Sequence, residues 1–307
     1  MSAFAPTIAV VGAGAVGSYY GAKLARAGAD VRFLMRADLD AVRREGLCVR
    51  EGSDAWTLSP VQAFGSTAEI GAVDLVLIAL KTTANAALES LIPPLLHEKT
   101  MLVTLQNGLG NEEFLAARWG AGRVLGALCF VCLNRTGAGV IEHYGKGTIS
   151  IGEFGRAAQE RTREIGAMFS AAGITTRVVE NLAEERWRKL VWNIPFNGLS
   201  IAAGGLTCDL LLADDGLHAQ VRALMAETIA AANALGFPIP PDFADFQIER
   251  TLPMGAYKPS SMIDWQLGRP VEVEAIWGEP WRRARAAGVS VPRLELLYHL
   301  LRKVTIS

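Results

Sequence analysis

The feature that most constrains the fold is a glycine-spaced turn near the start of the chain. An apolar run at 8–11 comes directly before Gly12, Gly14 and Gly17, and a helix-forming stretch follows them. A G-x-G-x-x-G spacing between a strand and a helix predicts a turn that binds the pyrophosphate of a dinucleotide at the helix N-terminus. The alternative is a plain tight turn. Under the first interpretation the loop residues between the glycines also contact the cofactor: Ala13, Ala15 and Val16.

The rest of the first half repeats the pattern of a buried strand followed by a helix. Apolar runs at 31–34, 75–80 and 101–105 are typical of parallel strands, and 84–96 is predicted to be a crossover helix. Short glycine-punctuated segments at 124–152 predict an antiparallel meander at the sheet edge. The first half is therefore expected to be an α/β domain of Rossmann type with a parallel sheet.

The second half has the periodicity of helices. Long helical segments are predicted at 182–202, 216–235 and 271–287. A chain of 307 residues exceeds what one hydrophobic core usually serves. We therefore expect a dinucleotide-binding domain of Rossmann type over 1–180 and an all-α domain over 181–307, to which the substrate and catalytic residues would belong.

Composition excludes several classes of partner. With 30 basic and 31 acidic residues the chain has no general attraction for nucleic acid, and no apolar run reaches the roughly 18 residues of a membrane helix. Residues 1–6 lack the basic segment of a secretory signal, and four cysteines suit reduced thiols, so the cytoplasm is the expected compartment. Cys129 and Cys132 would point to opposite faces of a strand, and no metal is expected.

The residue after the second predicted strand indicates which nicotinamide cofactor is preferred. NAD sites place an acidic residue here against the ribose hydroxyls, whereas this chain has Arg36. A guanidinium suits a 2′-phosphate, so the sequence predicts NADP(H); the alternative is a solvated surface arginine.

Polar residues follow two further strands. Lys81 with Thr82 ends one strand, and Gln106, Asn107 and Gly108 end the next. Ligands of parallel sheets collect at these carboxyl ends, so Lys81 and Asn107 are expected to contact the cofactor, and Asn107 the substrate as well. The alternatives are a solvated cap and an ordinary turn.

A predicted helix in the second half carries three polar residues on one face. Lys189, Asn193 and Asn197 are spaced i, i+4 and i+8 among apolar neighbours. Partial desolvation would lower the pKa of the lysine and make it a better proton donor to the alkoxide formed when a ketone is reduced. The alternative is a lysine that extends to solvent beside capping asparagines. Pro195 is expected to break or kink this helix.

Taken together, these motifs resemble the ketopantoate reductase family (2-dehydropantoate 2-reductases), which uses NADPH on the route to pantothenate and coenzyme A. The resemblance runs nearly the whole length of the chain. Beyond the motifs above it includes Ser260-Ser261-Met262-Ile263-Asp264 and Gly268-Arg269-Pro270-Val271-Glu272.

The resemblance implies roles for individual residues. Lys189 would be the general acid, and Glu272 a carboxylate that helps hold the substrate and tune the lysine. Ser261 would meet the substrate carboxylate, and the asparagines would fix the keto acid and its hydroxyl: Asn107, Asn193 and Asn197. Glu274 lies roughly opposite Glu272 on a helix, so only one of them can face the site.

Three departures from the family pattern leave the substrate open. Lys258 and Thr207 stand where some members have asparagine, and Pro195 interrupts the helix that carries Lys189. The alternatives are a reductase of another small 2-keto acid and a non-catalytic NADP-binding regulatory module, in which Lys189 would have no function. Tryptophans of the second domain fit either a core or a subunit contact, so a homodimer is one expected assembly.

Overall fold

The computed structural model describes residues 4–305, apart from the side chain of Lys146. The chain divides into two compact units. The first unit is Met1–Gln106 with Asn111–Leu182, and the second unit is Asn107–Gly110 with Ala183–Ser307. A four-residue excursion after the strand that ends at Thr104 therefore belongs with the helical half of the chain.

The first unit is built on one large sheet. Within the described residues its strands are β1 (Ile8–Val11), β2 (Val31–Leu34), β3 (Leu47–Glu51), β4 (Asp54–Leu58), β5 (Gln62–Phe64), β6 (Leu75–Ile78), β7 (Met101–Thr104), β8 (Val124–Gly137), β9 (Val140–Glu153) and β10 (Thr175–Val178). They are ordered β4-β3-β9-β8-β7-β6-β1-β2-β5, and β10 pairs with β9. The pairs from β7 through β6, β1 and β2 to β5 are parallel, which confirms the predicted parallel sheet.

Helices cover both faces of this sheet. They are α1 (Ala15–Arg26), α2 (Leu39–Glu45), α3 (Thr67–Ile70), α4 (Leu88–Leu91), α5 (Asn111–Trp119) and α6 (Glu160–Ala171). Every residue of β1, β6 and β7 is buried, as expected for central parallel strands with helices on either side. Apolar residues from the two sheet faces accordingly fall into two separate core clusters.

The segment at 124–152 differs from the predicted edge meander. It forms one long hairpin, with 14 residues in each of β8 and β9. Strand β8 pairs in parallel with β7, while β9 pairs with β3 and with β10, so the hairpin lies inside the sheet. The prediction failed because the later pairing of β3 and β10 onto β9 is a tertiary contact that turn residues do not encode.

The predicted crossover helix at 84–96 is also wrong in detail. A 3-10 helix spans Thr82–Ala87, α4 is only four residues long, and a second 3-10 turn spans Pro93–Leu95. Two consecutive prolines at 93 and 94 supply no backbone N–H, so a regular helix cannot continue through them.

The second unit is helical, which confirms the predicted all-α half. Its helices are α7 (Leu182–Ala202), α8 (Cys208–Ala213), α9 (Asp215–Ala234), α10 (Phe243–Glu249), α11 (Ser260–Gln266), α12 (Glu279–Ala286) and α13 (Pro292–Val304), and a π-helix spans Glu274–Gly278. One apolar cluster forms its core. No helix within 4–305 is long and apolar enough to cross a membrane.

The sequence predicts a break or a kink at Pro195. Helix α7 continues through this residue, so the helix is not broken there. Proline removes one backbone donor and leaves the carbonyl of Val191 without its helical partner. Residues on both sides of the proline, Ile194 and Phe196, are fully buried in the core of the second unit. Their packing holds the helical path where the local propensity alone would end it.

A buried carboxylate at the end of β9 gives a testable prediction on stability. The Glu153 side chain is fully buried and accepts hydrogen bonds from Arg161, Arg156 and Thr162. Burial alone would raise the pKa of Glu153, but these hydrogen bonds, led by that from Arg161, outweigh it and hold the pKa below its usual range. Its contribution to stability is therefore present above the unfolded pKa of about 4.3 and is lost as the pH falls through the lower folded value.

We expect Glu153→Gln to lower the free energy of unfolding at neutral pH by about 2 to 4 kcal/mol, less than for a fully buried pair because the arginines keep contact with solvent. Urea unfolding at pH 7 and pH 4 checks this, and the gap between wild type and variant should narrow at the lower pH. Glu45→Gln, which removes an exposed ion pair with Arg44, is the matched control and should cost under about 1 kcal/mol. Equal losses for both variants would contradict the prediction.

Candidate functional site

The glycine turn between β1 and α1 is built by close backbone contacts. Gly12 has φ +103°, and a Cβ placed on it would lie 2.4 Å from the backbone nitrogen of Leu80. A Cβ on Gly17 would lie 2.2 Å from the carbonyl oxygen of Gly12. By contrast, nothing lies within 4 Å of the position where a Cβ would stand on Gly14. The turn therefore needs two of its glycines for its own packing and leaves the third facing open space.

The helix that follows the turn presents an anion-binding terminus. Helix α1 begins at Ala15, has Gly14 at its N-cap, and has no acidic residue in its first turn. Its first backbone N–H groups carry partial positive charge that no carboxylate of that turn neutralises. The loop is closed by the hydroxyl of Ser18, which donates to the carbonyl of Ala13 at 3.1 Å. Val16, between them, is partly exposed. These residues fit a dinucleotide pyrophosphate.

A polar cluster fixes α1 to the outer strands of the sheet. The phenol of Tyr19 donates to Glu51 at 2.9 Å, Lys23 pairs with the same carboxylate at 3.3 Å, and the indole of Trp56 donates to it at 3.2 Å. Burial raises the pKa of Glu51, but these partners and His143 outweigh burial and lower it to about 2. Glu51 is therefore ionised at any ordinary pH and holds the helix that carries the glycine turn.

Arg36 and Lys81, the two predicted cofactor cations, are exposed residues that follow β2 and β6, the two strands on either side of β1. Arg36 follows Met35, whose backbone N–H donates to the carbonyl of Phe64 at 2.9 Å. Lys81 comes directly before the 3-10 helix Thr82–Ala87, where its carbonyl accepts from Ala84 at 2.9 Å. Both lie beyond the carboxyl ends of parallel strands β2 and β6, where ligands of such sheets collect.

The residue before Asn107 has a structural task that the sequence did not reveal. The amide of Gln106 donates to the carbonyl of Leu80 at 2.9 Å and to Asn85 at 2.7 Å, and it accepts from Thr104 at 3.0 Å. Gln106 is buried, so these bonds tie the end of β7 to the end of β6. From the sequence alone, a polar residue after a strand could equally bind a ligand, so the structural role of Gln106 could not be predicted.

The central contact of the second unit joins two of the predicted site residues. The ammonium group of Lys189, on α7, donates to Oδ1 of Asn107 at 2.7 Å, although the two residues are far apart in sequence. Both side chains are partly buried. An ammonium bonded to an amide oxygen stays a proton donor, and the amide fixes where its Nζ lies.

The same face of α7 carries the two asparagines. Asn197, only 1% exposed, accepts the backbone N–H of Ser261 at 2.9 Å and so holds the first turn of α11. Asn193, one turn earlier, is 7% exposed. Within residues 4–305 neither the Asn193 amide nor the Ser261 hydroxyl makes a hydrogen bond. Both groups are therefore available to a polar ligand beside the Lys189 face of the helix.

The two candidate glutamates differ in environment. Glu272 is 4% exposed and lies just before the π-helix, where its carbonyl accepts from Ile276 at 3.1 Å. Glu274 is exposed and pairs with Arg282 at 2.8 Å while accepting from Tyr298 at 2.9 Å. Only Glu272 is therefore placed to act inside the second unit.

The second unit thus contains an ammonium donor, a buried carboxylate, amides and a hydroxyl, and hydrogen bonds join Lys189 to Asn107 and the backbone of Ser261 to Asn197. The residues are Lys189, Glu272, Asn107, Asn193, Asn197 and Ser261. Such a set can bind a small anion that carries a carbonyl, and the ammonium can protonate an oxyanion formed on it. The glycine turn, Arg36 and Lys81 belong to the first unit. Sequence reasoning missed Trp277, treated as core, although its indole is bonded to a carbonyl of α7.

Comparisons with known proteins match both halves of the chain. The family model described as "Ketopantoate reductase PanE/ApbA" matches residues 8–156, and that described as "Ketopantoate reductase PanE/ApbA C terminal" matches 181–305. A 2-dehydropantoate 2-reductase of Nostoc sp. is 41% identical over 299 residues, which cover 96% of this chain and 93% of that protein.

Solved structures agree with these matches. A 2-dehydropantoate 2-reductase from Geobacter metallireducens has a TM-score of 0.95 and 46% identity, covering 97% of this chain and 100% of that chain. One from Methylococcus capsulatus has a TM-score of 0.90 and 33% identity, covering 98% of each chain.

Proposed function

This chain belongs to the ketopantoate reductase family, and we propose that it reduces 2-dehydropantoate to pantoate with NADPH, a step toward pantothenate and coenzyme A. One observation carries the proposal: the ammonium group of Lys189 donates to Asn107 at 2.7 Å. Lys189 lies on the face of α7 that also carries Asn193. This arrangement joins the one proton donor that the reaction needs to groups that can hold a keto acid.

Lys189 is the general acid in this proposal. NADPH, when bound, supplies the hydride that reduces the carbonyl carbon of the substrate. The developing alkoxide needs a proton, and the Lys189 ammonium donates it from Nζ. The hydrogen bond to Asn107 orients Nζ before the reaction, so little reorganisation is needed when the proton moves.

The remaining groups hold the substrate. Asn193 and the Ser261 hydroxyl bind its hydroxyl and carboxylate, because within residues 4–305 neither group makes a hydrogen bond. The Oδ1 of Asn197 accepts the backbone N–H of Ser261, and its Nδ2 donates to the keto acid. Glu272, buried before the π-helix, accepts a hydrogen bond from the substrate hydroxyl.

The first unit holds the cofactor. The N-terminus of α1 would hold the pyrophosphate, because the open position at Gly14 permits close approach to the backbone. Lys81 adds a polar contact beyond the end of β6. Arg36, exposed after β2 where an NAD site would have a carboxylate, binds the 2′-phosphate and makes NADP(H) the preferred cofactor.

We expect Arg36→Ala to reduce the ratio of kcat/KM for NADPH to that for NADH by at least about tenfold, which is about 1.4 kcal/mol of lost discrimination. The loss should fall on NADPH, since NADH has no 2′-phosphate to contact. Initial rates with each cofactor measure it. Arg44→Ala, an exposed arginine paired with Glu45 on α2, is the control. An unchanged ratio would remove Arg36 from the cofactor site.

The function is tested by following NADPH oxidation with a panel of 2-keto acids that includes 2-dehydropantoate. We expect 2-dehydropantoate to give the highest kcat/KM. A higher kcat/KM for another keto acid would identify that acid as the preferred substrate. Lys258 and Thr207, which depart from the family pattern, would then be the first residues to test for substrate choice. Absence of turnover with every acid of the panel would contradict the proposed reaction and favour a nucleotide-binding regulatory module.

We further propose that the functional domains are 1–180 and 181–307, that the enzyme acts in the cytoplasm, and that it works as a homodimer. The family matches at 8–156 and 181–305 support the division. Gel filtration with light scattering measures the assembly.

A further inference from the structure

The π-helix Glu274–Gly278 is the element on which this inference rests. Runs with i to i+5 hydrogen bonds are rare and are found frequently at functional sites. Here the run begins two residues after Glu272 and leads into α12. Its last four residues are buried, and Trp277 is fully so. The π-helix is therefore a core element that is joined in sequence to the buried carboxylate.

Trp277 links this element to α7. Its indole N–H donates to the carbonyl of Ile194 at 3.0 Å in the buried core. Ile194 is the residue between Asn193 and Pro195. A Cβ on Gly198 would lie 2.8 Å from the indole nitrogen, so the glycine is what permits the close approach. The bond thus fixes the part of α7 that carries the asparagine face.

The loop that carries Asn107 packs on the same π-helix. The backbone N–H of Leu109 donates to the carbonyl of Ala275 at 2.9 Å. Gly108 has φ +82°, and a Cβ on it would lie 2.3 Å from that carbonyl oxygen. No other residue type could bring the loop so close to the helix, because a side chain would collide with its backbone.

These contacts close a ring within the second unit. It runs from Lys189 to Asn107, through Leu109 to Ala275, along the π-helix to Trp277, and from its indole back to α7. Asn107 can hold the ammonium group at 2.7 Å only while its loop and α7 keep their separation. The π-helix is hydrogen-bonded to both of these segments.

We propose that Trp277 is a positioning residue for proton transfer: its indole N–H holds α7 at the separation from the Asn107 loop that the Lys189–Asn107 bond requires. This inference rests on the proposed function of Lys189. In this role Trp277 acts through α7, the helix that it holds, and not by contact with substrate or cofactor. A displacement of a reacting group by about 1 Å can cost about 10²-fold in rate.

The test removes the indole N–H and keeps an aromatic side chain at position 277. Trp277→Phe should lower kcat about 10- to 100-fold, because Nζ is no longer held in place. The KM for NADPH and its dissociation constant, measured by fluorescence titration, should change less than about twofold. The pH profile of kcat should shift, since the surroundings of the ammonium change. Trp265→Phe is the matched control: its indole also donates to a backbone carbonyl, that of Val304 at 3.1 Å, in the same unit.

A second variant covers loss of folding. Site-specific incorporation of 3-benzothienylalanine at position 277 keeps both rings and removes only the N–H. If Trp277→Phe unfolds, this variant should fold and still lose kcat. Equal kcat for the two phenylalanine variants, or wild-type kcat and pH profile with benzothienylalanine, would overturn the proposal. Wild-type enzyme without turnover on 2-dehydropantoate would instead contradict the proposed function, and that assay is run first.

Discussion

Replacing Lys189 with alanine is expected to lower kcat for 2-dehydropantoate by about 10²- to 10⁴-fold, the usual contribution of general acid catalysis. The ammonium group is the donor held by Asn107 at 2.7 Å, and alanine leaves the alkoxide without a positioned proton source. Because Lys189 lies on α7 in the second unit, the NADPH dissociation constant should stay within about threefold of wild type. Single-turnover kinetics and fluorescence titration measure the two quantities.

Two further variants sharpen this result. Lys303→Ala removes an exposed lysine near the end of α13 and should leave kcat unchanged. Lys189→Arg keeps the positive charge, but a guanidinium does not release its proton near neutral pH, so kcat should stay low. Wild-type kcat in Lys189→Ala would exclude the lysine as general acid. If wild type and Lys189→Ala both turn over only weakly, the result would favour the nucleotide-binding module.

Alanine at the three glycines of the first turn is expected to separate packing from cofactor binding. Gly17→Ala places a methyl group 2.2 Å from the carbonyl oxygen of Gly12, so the turn or α1 must shift. We expect a loss of about 3 kcal/mol in the free energy of unfolding, the upper range for overpacking, and NADPH binding weakened by more than about 10²-fold. Gly12→Ala should behave alike, because its φ of +103° is strained for alanine.

Gly14→Ala is the matched control on stability. Nothing lies within 4 Å of its added Cβ and its φ is −78°, so the free energy of unfolding should change by less than about 0.5 kcal/mol. The same methyl group would stand where the pyrophosphate approaches, so the NADPH dissociation constant should still rise about tenfold or more. Unchanged affinity in Gly14→Ala would contradict binding of the dinucleotide at this turn, and unchanged stability in Gly17→Ala would contradict the packing argument.

Local patterns were enough for the elements with strong periodicity. Strand β1, the glycine turn and α1 follow from an apolar run, three glycines and a helical stretch, and α7 follows from its 3.6-residue pattern. The spacing of Lys189, Asn193 and Asn197 places them on one helix face before any coordinates are known. Each of these inferences depends on neighbours within a few residues.

Contacts between distant segments could not be read in the same way. The sequence predicted an edge meander where β3 and β10 pair onto β9, and a break or kink at Pro195, where packing carries α7 on without a break. It offered no sign that Gln106 ties two strand ends together or that Trp277 reaches Ile194. Register, core packing and long-range hydrogen bonds arise only when segments meet.

The sequence by itself determined the order of α/β and α halves, the glycine turn and the polar face of α7, because strand and helix periods and glycine's backbone freedom are local properties. Tertiary structure decided that Asn107 meets Lys189, that Glu272 rather than Glu274 is buried, and that a π-helix bonds to both α7 and the Asn107 loop. Those outcomes depend on which surfaces pack together, and burial in a shared core is a property of the whole unit.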